Sequence, residues 1–141
     1  MSAPHHIARS TTLPLADPLG TLVLRVHHPG PRTALVEAIG EVDLASSARL
    51  AEVVESRLRS TVQLVVVDLR RTTFLAVSGL RTLRLLQLRA AALGVRFAVD
   101  PGESPIVCRL FSLAPLDCAR PGAAASLTAA RVPPPRSMPP G

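Results

Sequence analysis

The stretch Val65–Leu83, VVVDLRRTTFLAVSGLRTL, leaves a chain like this few folds to choose from. VVVDL is a run of Val and Leu without alternation, the pattern of a strand covered on both faces. A short turn follows. Leucines then recur at helical spacing from about Ser78 to Leu93, and Gly94 is a good residue to end the helix. A buried strand that passes so quickly into an apolar helix must fold that helix back over its own sheet, which makes the chain α/β. Ser78 sits at the handover, where a short polar side chain can cap the helix. Free N–H groups and the helix dipole also favour an anion there. The junction is therefore the natural place for a ligand, a phosphoryl group or a partner.

The flanking sequence completes the sheet. In TLVLRVHH, residues 21–28, Leu22, Leu24 and Val26 alternate with Val23, Arg25 and His27, the period of a half-buried strand. Pro29-Gly30-Pro31 turns the chain into a second strand over 33–40, forming a hairpin. After Gly40-Glu41-Val42-Asp43, either Ser46 or Ser47 can cap a helix whose Leu50, Val53, Val54 and Leu58 share one face. A buried strand is expected over 62–69 and another over Val95–Val99. Asp100-Pro101-Gly102 turns into a last helix, begun by Glu103 or Ser104 and reaching about Leu113. The predicted order is β-β-α-β-α-β-α, a mixed sheet of about four to five strands covered by about three to four helices.

The ends differ in composition. Residues 1–19 mix Pro, Ser, Thr and His without periodicity and read as a flexible arm. From Ala119 to Gly141 the chain turns to Pro, Ala and Gly, too poor in large apolar residues to offset the entropy of ordering. The single domain expected thus spans 20–118.

Composition excludes several classes of function. The net charge of +6 comes from arginine alone, since lysine is absent. Those arginines are scattered from Arg9 to Arg136, without aromatic stacking platforms or zinc spacing, so nucleic-acid binding is disfavoured. The longest purely apolar runs span four residues, far short of the ~20 needed to cross a bilayer. The first residues hold no continuous apolar stretch of the secretory kind. Cys108 and Cys118 make no disulfide framework and read as reduced thiols, which points to the cytoplasm. No phosphate-cradling glycine loop, nucleophile elbow or metal-spaced Cys/His cluster occurs. Neither an enzyme nor a metal or cofactor is expected.

Three motifs carry a resemblance. Gly40-Glu41-Val42-Asp43-Leu44 precedes the first helix. Val66-Val67-Asp68-Leu69 ends the central strand. Thr73-Phe74-Leu75-Ala76-Val77-Ser78-Gly79-Leu80 opens the second helix. In this order and at these separations they resemble the STAS domain of bacterial anti-sigma factor antagonists over about residues 20 to 118. The resemblance implies a module that binds an anti-sigma factor that is also a serine kinase, and thereby frees the sigma factor. In that family the third motif is close to T-F-hydrophobic-D-S-S-G-L, and the kinase phosphorylates its first serine to break the complex. Here the Asp position holds Ala76 and the acceptor position holds Val77, which has no hydroxyl. Ser78 remains, as a helix cap or as an acceptor displaced by one residue. The resemblance therefore implies partner binding without the usual off-switch. The alternative is a STAS scaffold subunit of a transport or signalling assembly.

The second helix also suggests where a partner would sit. Leu80, Leu83, Leu86, Ala90 and Leu93 form one stripe, assigned to the core. Leu85 and Leu88 fall on the opposite side, beside Arg81, Arg84 and Ala92. Leucines flanked by arginines on an outward face form a binding patch unless another element of the chain covers them. Ser78, Gly79, Arg81, Arg84, Leu85 and Leu88 are thus the expected partner-binding residues, in a monomer or weak dimer. Arg70 and Arg71 could extend a positive rim toward an acidic partner.

Overall fold

The computed structural model describes residues 21–112 and, as backbone only, residues 10–13. Among these residues six strands and three helices form one α/β unit: β1 (Ser10–Leu13), β2 (Leu22–Gly30), β3 (Thr33–Val42), α1 (Leu44–Leu58), β4 (Leu64–Asp68), β5 (Thr72–Leu75), α2 (Val77–Ala92), β6 (Arg96–Asp100) and α3 (Pro105–Phe111). The sheet runs β1-β2-β3-β4-β6, and β5 pairs with β3. It is mixed, as expected. The β2–β3 hairpin and the β1–β2 pair are antiparallel, whereas β3–β4, β3–β5 and β4–β6 are parallel.

Two strands go beyond the sequence reading. β1 lies within the stretch expected to be a flexible arm. The rest of that arm, and the tail from Ala119, lie outside the described residues. β5 was expected as part of the turn before α2. It forms because β3 is long enough to serve two parallel partners in succession. Thr33–Glu37 pairs with β4, and Gly40–Val42 pairs with β5. Gly40 marks the change. Its φ is +111°, and a Cβ there would stand 2.1 Å from the Thr21 carbonyl oxygen, so only glycine fits.

One hydrophobic core lies between the sheet and all three helices. Leu22, Leu24, Val26, Val36, Val65, Val67, Phe97 and Val99 face it from the strands. Leu50, Val53, Val54 and Leu58 enter from α1, Leu80, Leu83, Leu86 and Ala90 from α2, and Val107 and Phe111 from α3. The continuous Val/Leu run of β4 suggested helices on both faces, but the described helices cover only one. On the opposite face Leu35 and Val66 pack with half-buried Leu64 in a small cluster of their own. Beside them the register sets Glu37, Asp68 and Asp100 side by side on β3, β4 and β6, all buried.

The helix ends show how local chemistry sets the boundaries. α1 is capped by Asp43, rather than by Ser46 or Ser47 as the sequence suggested. The Asp43 Oδ1 accepts from the Ser46 N–H at 2.9 Å, and the Ser46 hydroxyl accepts from the Asp43 N–H at 2.9 Å. Ser46 is thus the returning half of a capping box. α2 ends as expected at Gly94, with φ +73°. The Gly94 and Val95 N–H groups reach back to the carbonyls of Ala91 and Ala90, closing a Schellman motif. Leu93, assigned to the core from its spacing, lies at this cap and is exposed. α3 is capped by Ser104, which accepts from the Val107 N–H, with Pro105 in the first turn. Leu113 is outside the described residues.

Candidate functional site

The junction between β5 and α2 is held by the sheet on one side and by packing on the other. Thr72 is buried and donates its hydroxyl to the Ala38 carbonyl at 2.8 Å. The Ala76 N–H donates to the Val42 carbonyl at 2.8 Å. These two bonds tie both ends of β5 to β3. Leu75 then points into the core, while Phe74 is left 44% exposed.

Ala76 is the N-cap residue of α2 and makes no side-chain cap. Ser78 is therefore not the cap expected from the sequence. It lies one residue inside the helix, and its hydroxyl oxygen is buried without a hydrogen-bond partner. Val77, at the position of the family's phospho-acceptor, is 55% exposed. Gly79 is buried for a packing reason. A Cβ there would stand 2.7 Å from Leu75 Cδ1 and 2.8 Å from Val42 Cγ1, so the absence of a side chain lets α2 seat against β3 and β5.

α3 completes the site. Phe74, Ala76 and Val77 face Ile106, Arg109 and Leu110 across an apolar groove of about 630 Å³. Phe74, Val77 and Ile106 are exposed apolar residues clustered at one place, and sequence reasoning did not single out Val77 or Ile106 as a surface. Helical spacing alone would have put Val77 on the outward side of α2, but no local signal joins it to Phe74 and Ile106. The burial of β5 does not alternate, and α3 lies far along the chain.

Along α2, Arg81, Arg84, Leu85 and Leu88 all reach solvent, as the sequence placed them. Ser78 keeps its oxygen buried, and Gly79 is covered. Arg70 is committed to the domain itself, whereas Arg71 stays largely exposed. Arg70 grips Asp68 in a bidentate pair, Nε to Oδ1 at 3.0 Å and Nη2 to Oδ2 at 2.8 Å. This hydrogen bonding raises the Arg70 pKa above its already high ordinary value. Asp68 also accepts the Arg70 N–H at 2.9 Å, so one buried carboxylate shapes the whole turn after β4. Arg71 leans on Glu37 at 3.6 Å, and Glu37 is 3.2 Å from His27. No group of three or more metal-ligating side chains occurs among the described residues, and none of their helices is long and apolar enough to cross a membrane.

Neither a protein-family model nor a curated protein matches the chain. Solved structures do. The anti-sigma factor antagonist SpoIIAA in its unphosphorylated form superposes with a TM-score of 0.61 at 15% identity, over 77% of this chain and 96% of that one. An anti-sigma factor antagonist from Mycobacterium paratuberculosis gives 0.58 at 22% identity, over 94% and 100%. This chain has the STAS fold. The Bacillus cell fate determinant SpoIIAA in its phosphorylated form gives 0.59 at 14% identity, over 75% and 97%. Each of these antagonists is matched over almost its whole length, so the STAS fold extends through the described domain rather than through one motif within it.

Proposed function

We propose that this protein is a cytoplasmic anti-sigma factor antagonist that binds an anti-sigma factor of the serine-kinase type, releases the sigma factor, and lacks the family's phosphorylation switch. The observation that carries this reading is the junction itself, set in a STAS fold. It keeps the strand, the turn, Gly79 and Leu80. At the acceptor position it presents the methyl groups of Val77 beside Phe74 and Ile106. An exposed apolar cluster on a positioned turn suits protein binding. An added phosphoryl group, with about −1.5 to −2 charge, would oppose binding there, but Val77 offers no oxygen to carry it. Arg81, Arg84, Leu85 and Leu88 continue the proposed contact along α2.

Ser78 is the one hydroxyl left in the turn, and its oxygen is buried. Phosphorylation there would require the first turn of α2 to open. Mixing the protein with a kinase-type anti-sigma factor and ATP tests both points. The expected result is a complex on size exclusion that persists after incubation with ATP, with no gain in intact mass. A phosphate-sized gain that disappears in Ser78→Ala would instead show a displaced switch. Absence of any complex would overturn the reading and favour a STAS scaffold subunit of a transport or signalling assembly, for which the missing acceptor at Val77 speaks.

A further inference from the structure

α2 is apolar on two opposite sides, and among the described residues only one of them is packed against the rest of the domain. Leu80, Leu83, Leu86 and Ala90 are buried against the sheet, whereas Leu85 is 64% and Leu88 56% exposed. At 100° per residue, Val77, Arg81, Leu85, Leu88 and Ala92 fall within about 80° of arc, a stripe running the length of the helix. With 16 residues in α2, that stripe is about 24 Å long at 1.5 Å per residue. Leu88 stands as a ridge between two grooves. One, of about 380 Å³, opens toward α1 and is lined by Ala51, Thr82 and Leu85. The other, of about 390 Å³, opens toward β6 and is lined by Gln87, Ala91 and Phe97.

Charge decides what can lie on this surface. α2 contains no Asp or Glu. Exposed Arg81 and Arg84 flank the leucines, and exposed Arg96 borders the second groove. The carboxylate beside the first groove, Glu55, already holds Arg89 at 2.9 Å. A second copy of the same face would set arginine against arginine, which disfavours a symmetric dimer. A ridge with a groove on each side matches the side-chain rows of a helix better than a flat bilayer does.

We propose that the outer face of α2 receives an acidic amphipathic helix of a partner protein. Leucine-type side chains of that helix enter the two grooves beside Leu88, and its carboxylates meet Arg81, Arg84 and Arg96. This rests on the reading above in taking the occupant to be a protein partner, and adds the chemistry of the segment that binds. The probe is a fluorescein-labelled amphipathic peptide of about five turns, with Leu at i, i+3, i+4 and i+7 and Glu on both flanks. Its control carries Lys for every Glu.

Titrated into the full chain, the acidic peptide should bind at least tenfold tighter than the control and weaken with added salt. Leu88→Asp and Arg81→Glu should each lower its affinity at least tenfold without moving the melting temperature. Equal binding of the two peptides, or affinity unchanged by Leu88→Asp, would overturn the proposal. So would a preference of the chain for anionic phosphatidylglycerol vesicles over the acidic peptide. No anti-sigma factor enters this assay, so the two readings fail separately. If the peptide fails while the anti-sigma factor still binds, only the chemistry assigned to this face falls.

Discussion

The domain contains two strand-to-helix junctions built on the same plan, Asp43–Leu44 at the start of α1 and Ala76–Val77 at the start of α2. Both N-cap residues are extended, Asp43 at φ −113°, ψ −169° and Ala76 at φ −79°, ψ 163°. The first junction is closed by side chains. Asp43 and Ser46 satisfy each other's backbone N–H groups, and the Ser46 hydroxyl also lies 2.9 Å from the Glu41 carbonyl. The second has no side-chain cap and is held by packing, with Gly79 pressed against Val42 and Leu75 and the Ala76 N–H on the Val42 carbonyl. Polar groups used within a junction are unavailable to anything else. The α1 start thus acts as a structural joint, whereas the α2 start has no side chain closing it and leaves Val77 exposed.

If α2 is held by its buried stripe rather than by its N-terminus, the largest loss should come from that stripe. Leu83 is fully buried, and Leu83→Ala should cost about 3 kcal/mol through lost transfer energy and the cavity left behind. Urea melts measure this, and a loss below about 1 kcal/mol would mean that the stripe is not what anchors the helix. Gly79→Val comes next. Its Cβ would overlap Leu75 and Val42, and such overpacking typically costs about 2 kcal/mol. Asp43→Ala should cost about 1 kcal/mol by removing the box of α1. If Gly79→Val proves milder than Asp43→Ala, the contrast between the two junctions is wrong.

The sequence shows the frame of the molecule better than its edges. The β2–β3 hairpin, the core faces of α1 and α2, and the Gly94 stop were all legible, because periodicity and end signals are local. β5 was not legible. It exists because β3 is long enough to pair with β5 beyond β4, with Gly40 at the change, and that pairing joins residues far apart in sequence. The α1 cap was misread by a few residues, since Asp, Ser46 and Ser47 are all good cap residues and only the backbone decides among them. At the site, the outward leucines of α2 were visible from spacing. The groove between Phe74, Val77 and Ile106 was not, because its two walls come from elements separated by the whole of α2 and β6. The burial of the Ser78 oxygen likewise follows from how α2 is seated, which no local pattern records.

The smallest effect is also the most direct test of the contrast. The Ala76 backbone already has the extended conformation of a cap, and what is missing is an oxygen. Ala76→Asp supplies one within reach of the Ser78 or Gly79 N–H and adds a negative charge at the positive end of the helix dipole. Stability should rise by about 0.5–1 kcal/mol in thermal melts. The same carboxylate would border the groove lined by Phe74, Val77 and Ile106, where Arg109 is the one charged side chain among the described lining residues. The substitution should therefore stabilise the domain while weakening the proposed partner contact, whereas at a purely structural junction it would stabilise without changing binding. A stabilised variant with undiminished anti-sigma factor affinity would separate the groove from the binding surface, whereas a destabilised variant would show that the turn depends on its apolar surroundings rather than on its missing cap.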